Sequence, residues 1–146
     1  MSVRDAYQRL HDAFKGKDEA ALRAAAAPDV EFVMPGMAVT GIDAYMEMAR
    51  VWWNAFPDLD MTVRSVTVDG DTAVEEGVFR GTHTGAMPSP DGQLIPPTGR
   101  RVELAYADFF TVRDGVVQSD RLYMDRMAML EQLGLIPAPG AAAPAG

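Results

Sequence analysis

Apolar residues recur at helical spacing through the amino-terminal part of the chain, and alternate with polar ones through most of the remainder. Ala6, Tyr7, Leu10, Ala13 and Phe14 keep one helical face, and Ser2 with Asp5 forms a capping-box pattern, so a helix is predicted over roughly 3–15. Asp18 is expected to cap an alanine-rich second helix that Pro28 stops, and Val30 to Met34 reads as a short strand broken by Pro35-Gly36. Thr40 and Asp43 open a third helix, on which Ile42, Tyr45, Met46, Ala49, Trp53 and Phe56 recur until Pro57. From Met61 the pattern becomes a strand, an Asp69-Gly70-Asp71 turn, a strand through Thr84, a Pro/Gly-rich loop from Gly85 to Gly99 and a hairpin from Val102 to Asp125. A helical turn from Arg126 to Leu133 closes at Gly134, and the tail PAPGAAAPAG is expected to be disordered. Helices followed by strands predict an α+β fold: one domain over residues 1–137, with a curved, mostly antiparallel sheet whose concave face the helices cover.

The hairpin carries the most chemistry, because each arm holds an aspartate on a strand that is otherwise largely apolar. If Arg113-Asp114-Gly115 forms a three-residue turn, Val112 pairs with Val116 and Asp108 lies opposite Asp120. A two-residue Asp114-Gly115 turn sets Asp108 against Arg121 instead, as a cross-strand ion pair. In the first register both acids share a face with Val102, Leu104, Tyr106, Phe110 and Val112. Desolvation and a like-charge neighbour then raise at least one pKa toward the range useful for proton transfer.

Composition narrows the partners. The chain has 146 residues, 48% of them hydrophobic, which suits one compact domain. A net charge of −8 without a basic cluster argues against nucleic acid and anionic membranes. Neither an 18-residue apolar run nor a basic-then-apolar amino terminus is visible, so a cytoplasmic protein is expected. With no cysteine there is no disulfide, thiolate nucleophile or thiolate metal ligand. The histidines, His11 and His83, are isolated, and no phosphate-binding glycine loop opens a helix, so neither a metal nor a cofactor is expected. A pocket between helices and sheet is expected to be lined by Phe14, Tyr45, Trp52, Trp53, Phe79, Leu122 and Met124, and to take a small hydrophobic ligand. His83 shares a strand face with Phe79 and Gly81, which places it either at the cavity mouth or as an anchor for the following loop. Asp125 reads as a helix cap. The outward alternation Ala105, Ala107, Phe109 is apolar enough to predict a homodimer through the sheet.

GTHTG at Gly81–Gly85, PPTGRRVEL at Pro96–Leu104, the Asp-Gly hairpin turn, Tyr123-x-Asp125 and QLGLIP at Gln132–Pro137 together resemble the SnoaL-like polyketide cyclase, or ester cyclase, family over roughly residues 3–137. The resemblance implies the cone-shaped α+β barrel of the ketosteroid isomerase and nuclear-transport-factor superfamily, frequent homodimers, and cofactor-free intramolecular aldol cyclisation with an aspartate as acid/base. Asp120 occupies that aspartate's place, while Tyr106 and Asp108 stand where the characterised cyclases carry a histidine. Asp120 is then the base, and a neutral Asp108, the Tyr106 hydroxyl or His83 donates to the developing oxyanion. Two other functions fit the same residues. One is a hydrolase resembling limonene epoxide hydrolase, in which an Asp-Arg-Asp set activates water; the other is a non-catalytic ligand-binding or dimerisation module.

Overall fold

The computed structural model describes residues 1–89 and 91–137; residues 138–146 of the tail read above as disordered lie outside them. Helix α1 spans Val3–Lys15, with Ser2 and Asp5 capping reciprocally as the sequence predicts: the Asp5 amide donates to Ser2 Oγ and the Ser2 amide to Asp5 Oδ2. Helix α2, Glu19–Ala25, starts where Asp18 accepts from the Ala21 amide. Pro28 does not end it. Strand β1 already begins at Ala26 and runs to Met34, and Pro28 lies where the pairing is interrupted between Ala26 and Glu31, a place where a missing N–H does no harm.

A short strand not foreseen in the sequence, β2 (Met37–Thr40), folds back on β1, and Thr40 ends it instead of capping the next helix. That helix, α3 (Ile42–Ala55), has Gly41 at its start with φ 100° and no side-chain cap. The two long hairpins follow: β3 (Asp60–Asp69) with β4 (Thr72–Thr82), and β7 (Arg101–Arg113) with β8 (Val116–Met124). Between them, inside the Pro/Gly-rich loop, β5 (Met87–Pro88) and β6 (Leu94–Ile95) make a small separate pair. Helix α4, Arg126–Gln132, is capped by Asp125, which accepts from the Ala128 amide.

The main sheet runs in the order β2-β1-β8-β7-β4-β3, antiparallel except where β1 lies parallel to β8. It is curved and unclosed, and the fold is α+β as the sequence predicts. Tyr7, Leu10, Leu22, Tyr45, Met46 and Ala49 from the first three helices are buried in one cluster with Phe32, Ala73, Phe110 and Val117 of the sheet, so α1 and α3 roof one of its faces. On the outer face Arg121 lies 5.7 Å over the Phe109 ring, and Tyr123 meets that ring edge-on. Among the described residues no helix is long and apolar enough to cross a membrane.

Candidate active site

The β7–β8 hairpin follows neither register expected from the sequence. Asp114 and Gly115 both have positive φ, 55° and 76°, so the turn has two residues, and Arg113 pairs with Val116. Continued unbroken, that turn sets Asp108 against Arg121 and turns Asp120 to the opposite face. A bulge intervenes. Thr111 pairs with Ser119 while Val112 pairs with Val117, leaving Gln118 as the extra residue. The offset becomes even again: Asp108 meets Leu122, Phe110 meets Asp120, and the two acids stand diagonally on one face.

A third acid belongs to this face, and reasoning from sequence missed it. Glu75 on β4 is paired directly with Asp108. Glu75, Asp108 and Asp120 therefore occupy three adjacent strands, all buried, all lining one cavity of about 70 Å³. The rest of its wall is mainly apolar, with Leu10, Phe14, Phe32, Met48, Trp52 and Phe79 among its members. Phe32 and Phe110 are the residues paired with Asp120 on its two neighbouring strands, so water has little access to it from the sheet.

The acids are served unequally. Glu75 accepts from the Tyr7 hydroxyl, from the Tyr106 hydroxyl at 2.6 Å and from His11 Nδ1 at 2.7 Å. Burial pushes its pKa up, but His11 and the two phenols outweigh that and hold the carboxyl below its ordinary value. Tyr106 reaches it because Gly77 is its cross-strand partner: a Cβ on Gly77 would lie 2.7 Å from the Tyr106 hydroxyl oxygen. Asp120 accepts from the Tyr45 hydroxyl at 2.7 Å through Oδ2 only. The Oδ1 atoms of Asp108 and Asp120 are both buried without a partner.

Burial, the Asp120 charge and the Glu75 charge raise the Asp108 pKa well above the ordinary value. Burial raises that of Asp120 too, opposed by hydrogen bonds from Asp108 and Tyr45. Asp108, with Glu75 directly across from it on β4 and Asp120 diagonal to it on β8, is the more strongly raised of the two.

Phe14, Tyr45, Trp52, Phe79, Tyr106, Leu122 and Met124 line the cavity together with the aspartates. Trp53 does not. One residue on from Trp52 is a rotation of about 100° around the helix, and its indole instead donates to the Phe14 carbonyl at 3.0 Å and packs against the Phe14 ring. His83 also lies outside. It is buried against Phe56, whose ring is packed on the cavity residues Trp52 and Phe79; Gly81, which leaves Phe56 only 3.0 Å of clearance for a Cβ, admits that screen. His83 Nδ1 contacts Thr98 Oγ1 and accepts from the Thr98 amide, which anchors the loop, and burial lowers its pKa. The Tyr106 hydroxyl is committed to Glu75, so of the three groups named from sequence as oxyanion donors Asp108 is the one that lines the cavity with an unpartnered side-chain atom.

Two signals for the missed residues are present in the sequence. Counting back by twos along the strand from Phe79 gives Gly77, Glu75 and Ala73. His11 lies four residues after Tyr7 and one after Leu10, on the apolar stripe of α1.

The family model for the SnoaL-like polyketide cyclase matches residues 4–133. Among curated proteins none matches the sequence. Three solved structures are similar over nearly their full length. A candidate SnoaL-like polyketide cyclase from Jannaschia sp. CCS1 is 26% identical with a TM-score of 0.79, covering 92% of this chain and 93% of that one. TsrD from Streptomyces laurentii is 27% identical with a TM-score of 0.76, covering 92% and 96%. IdmH, a candidate polyketide cyclase from Streptomyces antibioticus, is 28% identical with a TM-score of 0.74, covering 92% and 99%. With the match spanning all four helices and the whole main sheet, the chain belongs to the SnoaL-like polyketide cyclase family.

Proposed function

We propose that the protein is a cofactor-free acid/base enzyme of the cyclase type, acting on a carbonyl compound whose reactive edge enters the cavity. The observation that supports this most is the pair of buried, unpartnered oxygens on Asp108 and Asp120 in an apolar wall. A structural acid pair has its lone pairs satisfied, as Glu75 has; these two are left for something that arrives. In this reading Asp120 takes the proton α to the carbonyl, and the neutral Asp108 donates a hydrogen bond to the oxygen on which charge develops. Tyr45 holds Asp120 in place. The carbon nucleophile then attacks a second carbonyl of the same molecule, and the proton is returned.

The cavity volume bears on the substrate. At about 70 Å³ it is well below the ~300–1,000 Å³ of pockets that enclose a drug-sized ligand. A flat molecule presenting one edge fits this better than a polycycle wholly enclosed. Among the described residues no arginine lines the cavity, so the Asp-Arg-Asp water activation of an epoxide hydrolase has less support. A homodimer across the outer sheet face is part of the proposal, and light scattering at micromolar concentration tests it.

Exchange of the α-protons of phenylacetone in D2O, followed by proton NMR, tests the chemistry without knowledge of the true substrate. Asp120→Asn is expected to slow catalysed exchange by ~10²–10⁴, the usual cost of losing a positioned base. Equal exchange rates in the two proteins would remove Asp120 from the base role.

A further inference from the structure

Two tyrosine hydroxyls in the cavity wall are already spent, Tyr45 on Asp120 and Tyr106 on Glu75. A ligand oxygen that enters has two places left to bind: the aspartate pair, and the imidazole of His11, which lines the cavity from α1. His11 is buried, and its Nδ1 is tied to Glu75 at 2.7 Å. Glu75 is a rigid anchor, itself buried on β4 and held by Tyr7 and Tyr106. A carboxylate on one ring nitrogen fixes the ring plane and leaves the other nitrogen to act. Nε2 takes no part in the bond to Glu75.

From this geometry we propose that His11, oriented by Glu75, is a second proton-transfer group of the cavity, which meets a ligand oxygen distinct from the one met by Asp108 and Asp120. The inference rests on the acid/base reading above and extends it to a ligand with two oxygen functions. In the ring-closing step the α C–H bond breaks and its proton goes to Asp120. The freed electron pair forms the new C–C bond, the acceptor carbonyl's π pair moves to its oxygen, and that oxygen takes the Nε2 proton of the doubly protonated ring. Glu75 keeps the Nδ1–H throughout. The proton on Asp120 then restores the ring through water, so the net change is an isomerisation with no co-reactant. Toward an enol the neutral ring works in reverse, Nε2 accepting from the enol O–H.

A matched pair of ligands isolates the second oxygen: 1-phenylbutane-1,3-dione and 1-phenylbutan-1-one share a skeleton and differ by one carbonyl. The wild type is expected to bind the dione ~tenfold more tightly, the scale of one hydrogen bond to a charged group, and His11→Gln to lose that preference while binding the monoketone within about twofold. Glu75→Gln is expected to weaken the preference as well, because the ring loses its anchor. Nitrogen-15 NMR of the wild type avoids dependence on any variant's folding: the His11 Nε2 resonance should shift with the dione and stay put with the monoketone. A preference that survives in His11→Gln, equal losses for both ligands, no preference in the wild type, binding of neither, or an unmoved Nε2 resonance each overturns the proposal. Phenylacetone has one carbonyl, so failure of the Asp120 exchange test is read independently of this one.

Discussion

Glu75 and the Asp108–Asp120 pair sit on the same face of the same three strands, yet one is saturated with hydrogen bonds and the other is left short of them. Three donors converge on Glu75, so its charge is stabilised where it lies and its pKa is held down. Asp108 and Asp120 receive one protein hydroxyl between them, from Tyr45, and both are pushed above their ordinary value. All three acids are buried, yet their acidities move in opposite directions, because the donors on Glu75 outweigh its desolvation while desolvation prevails at the aspartates. The saturated acid stabilises the fold and positions His11. The unsaturated pair costs stability and is available for chemistry.

The difference predicts opposite signs for two substitutions. Glu75→Ala removes the common acceptor of Tyr7, Tyr106 and His11 and is expected to cost about 3–5 kcal/mol, as breaking a buried charge cluster does. Asp120→Asn is expected to raise the melting temperature, since the amide oxygen still accepts from Tyr45 while the charge that raises Asp108 is removed. Denaturant unfolding and thermal melting on the two variants decide it; loss of stability in both would place the aspartates among ordinary structural acids.

The same contrast should appear as two slopes with pH. Glu75 is held below its ordinary value of 4.5, so its contribution is present above that pH and lost as pH falls through its folded value. Asp108 is raised above 3.8, so its contribution is complete below that pH and lost as pH rises toward its folded value. Measured against the wild type, Asp108→Asn should gain stability progressively above 3.8, while the deficit of Glu75→Gln should narrow below 4.5. Each unit of pKa difference is worth about 1.4 kcal/mol in such a series. Parallel curves for the two variants would erase the distinction between the sites.

Much of this was legible beforehand, for physical reasons that also explain the failures. The capping box of α1 and the α+β order follow from local pattern, which short-range sterics and alternation enforce, whereas the shared face of Asp108 and Asp120 is expected in only one of the two registers the sequence allows. The register did not, because a bulge at Gln118 carries no signature in a run of ordinary polar residues. The face survived the error only because turn and bulge together shift the pairing by an even number. Glu75 escaped since Glu75-Glu76 reads as a solvated pair unless β4 is known to be central, and centrality is a property of the whole sheet. Strand β2 escaped for a related reason: four residues after a Pro-Gly turn form a strand only because β1 offers an edge.

Gly77 gives a smaller and more local handle on the saturated acid. It is the cross-strand partner of Tyr106, and a Cβ there would stand 2.6 Å from the Thr62 carbonyl oxygen and 2.7 Å from the Tyr106 hydroxyl. Gly77→Ala is expected to cost about 1–3 kcal/mol, typical of overpacking, by driving the phenol off Glu75. The loss should shrink when Tyr106→Phe is added, since that ring no longer has a hydroxyl to displace. Additive losses in denaturant unfolding would mean that the Thr62 clash alone explains the cost.

The smallest effect on chemistry is expected at His83, which lies outside both acid groups although its strand leads away from Glu75 on the same alternation. Its ring is one aromatic layer behind the cavity wall, tilted against Phe56, and its Nδ1 is occupied by Thr98. A group so placed touches no ligand that the cavity admits. His83→Gln should therefore leave phenylacetone exchange within about twofold of wild type while costing about 1–3 kcal/mol in stability, the penalty of an anchor whose backbone partner is left unpaired. By its ordinary pKa alone a histidine is the readiest choice for proton transfer near neutral pH. A large loss of exchange in a variant that melts normally would mean that Phe56 moves aside in solution and that the proposed proton-transfer set extends beyond Asp108, Asp120 and His11.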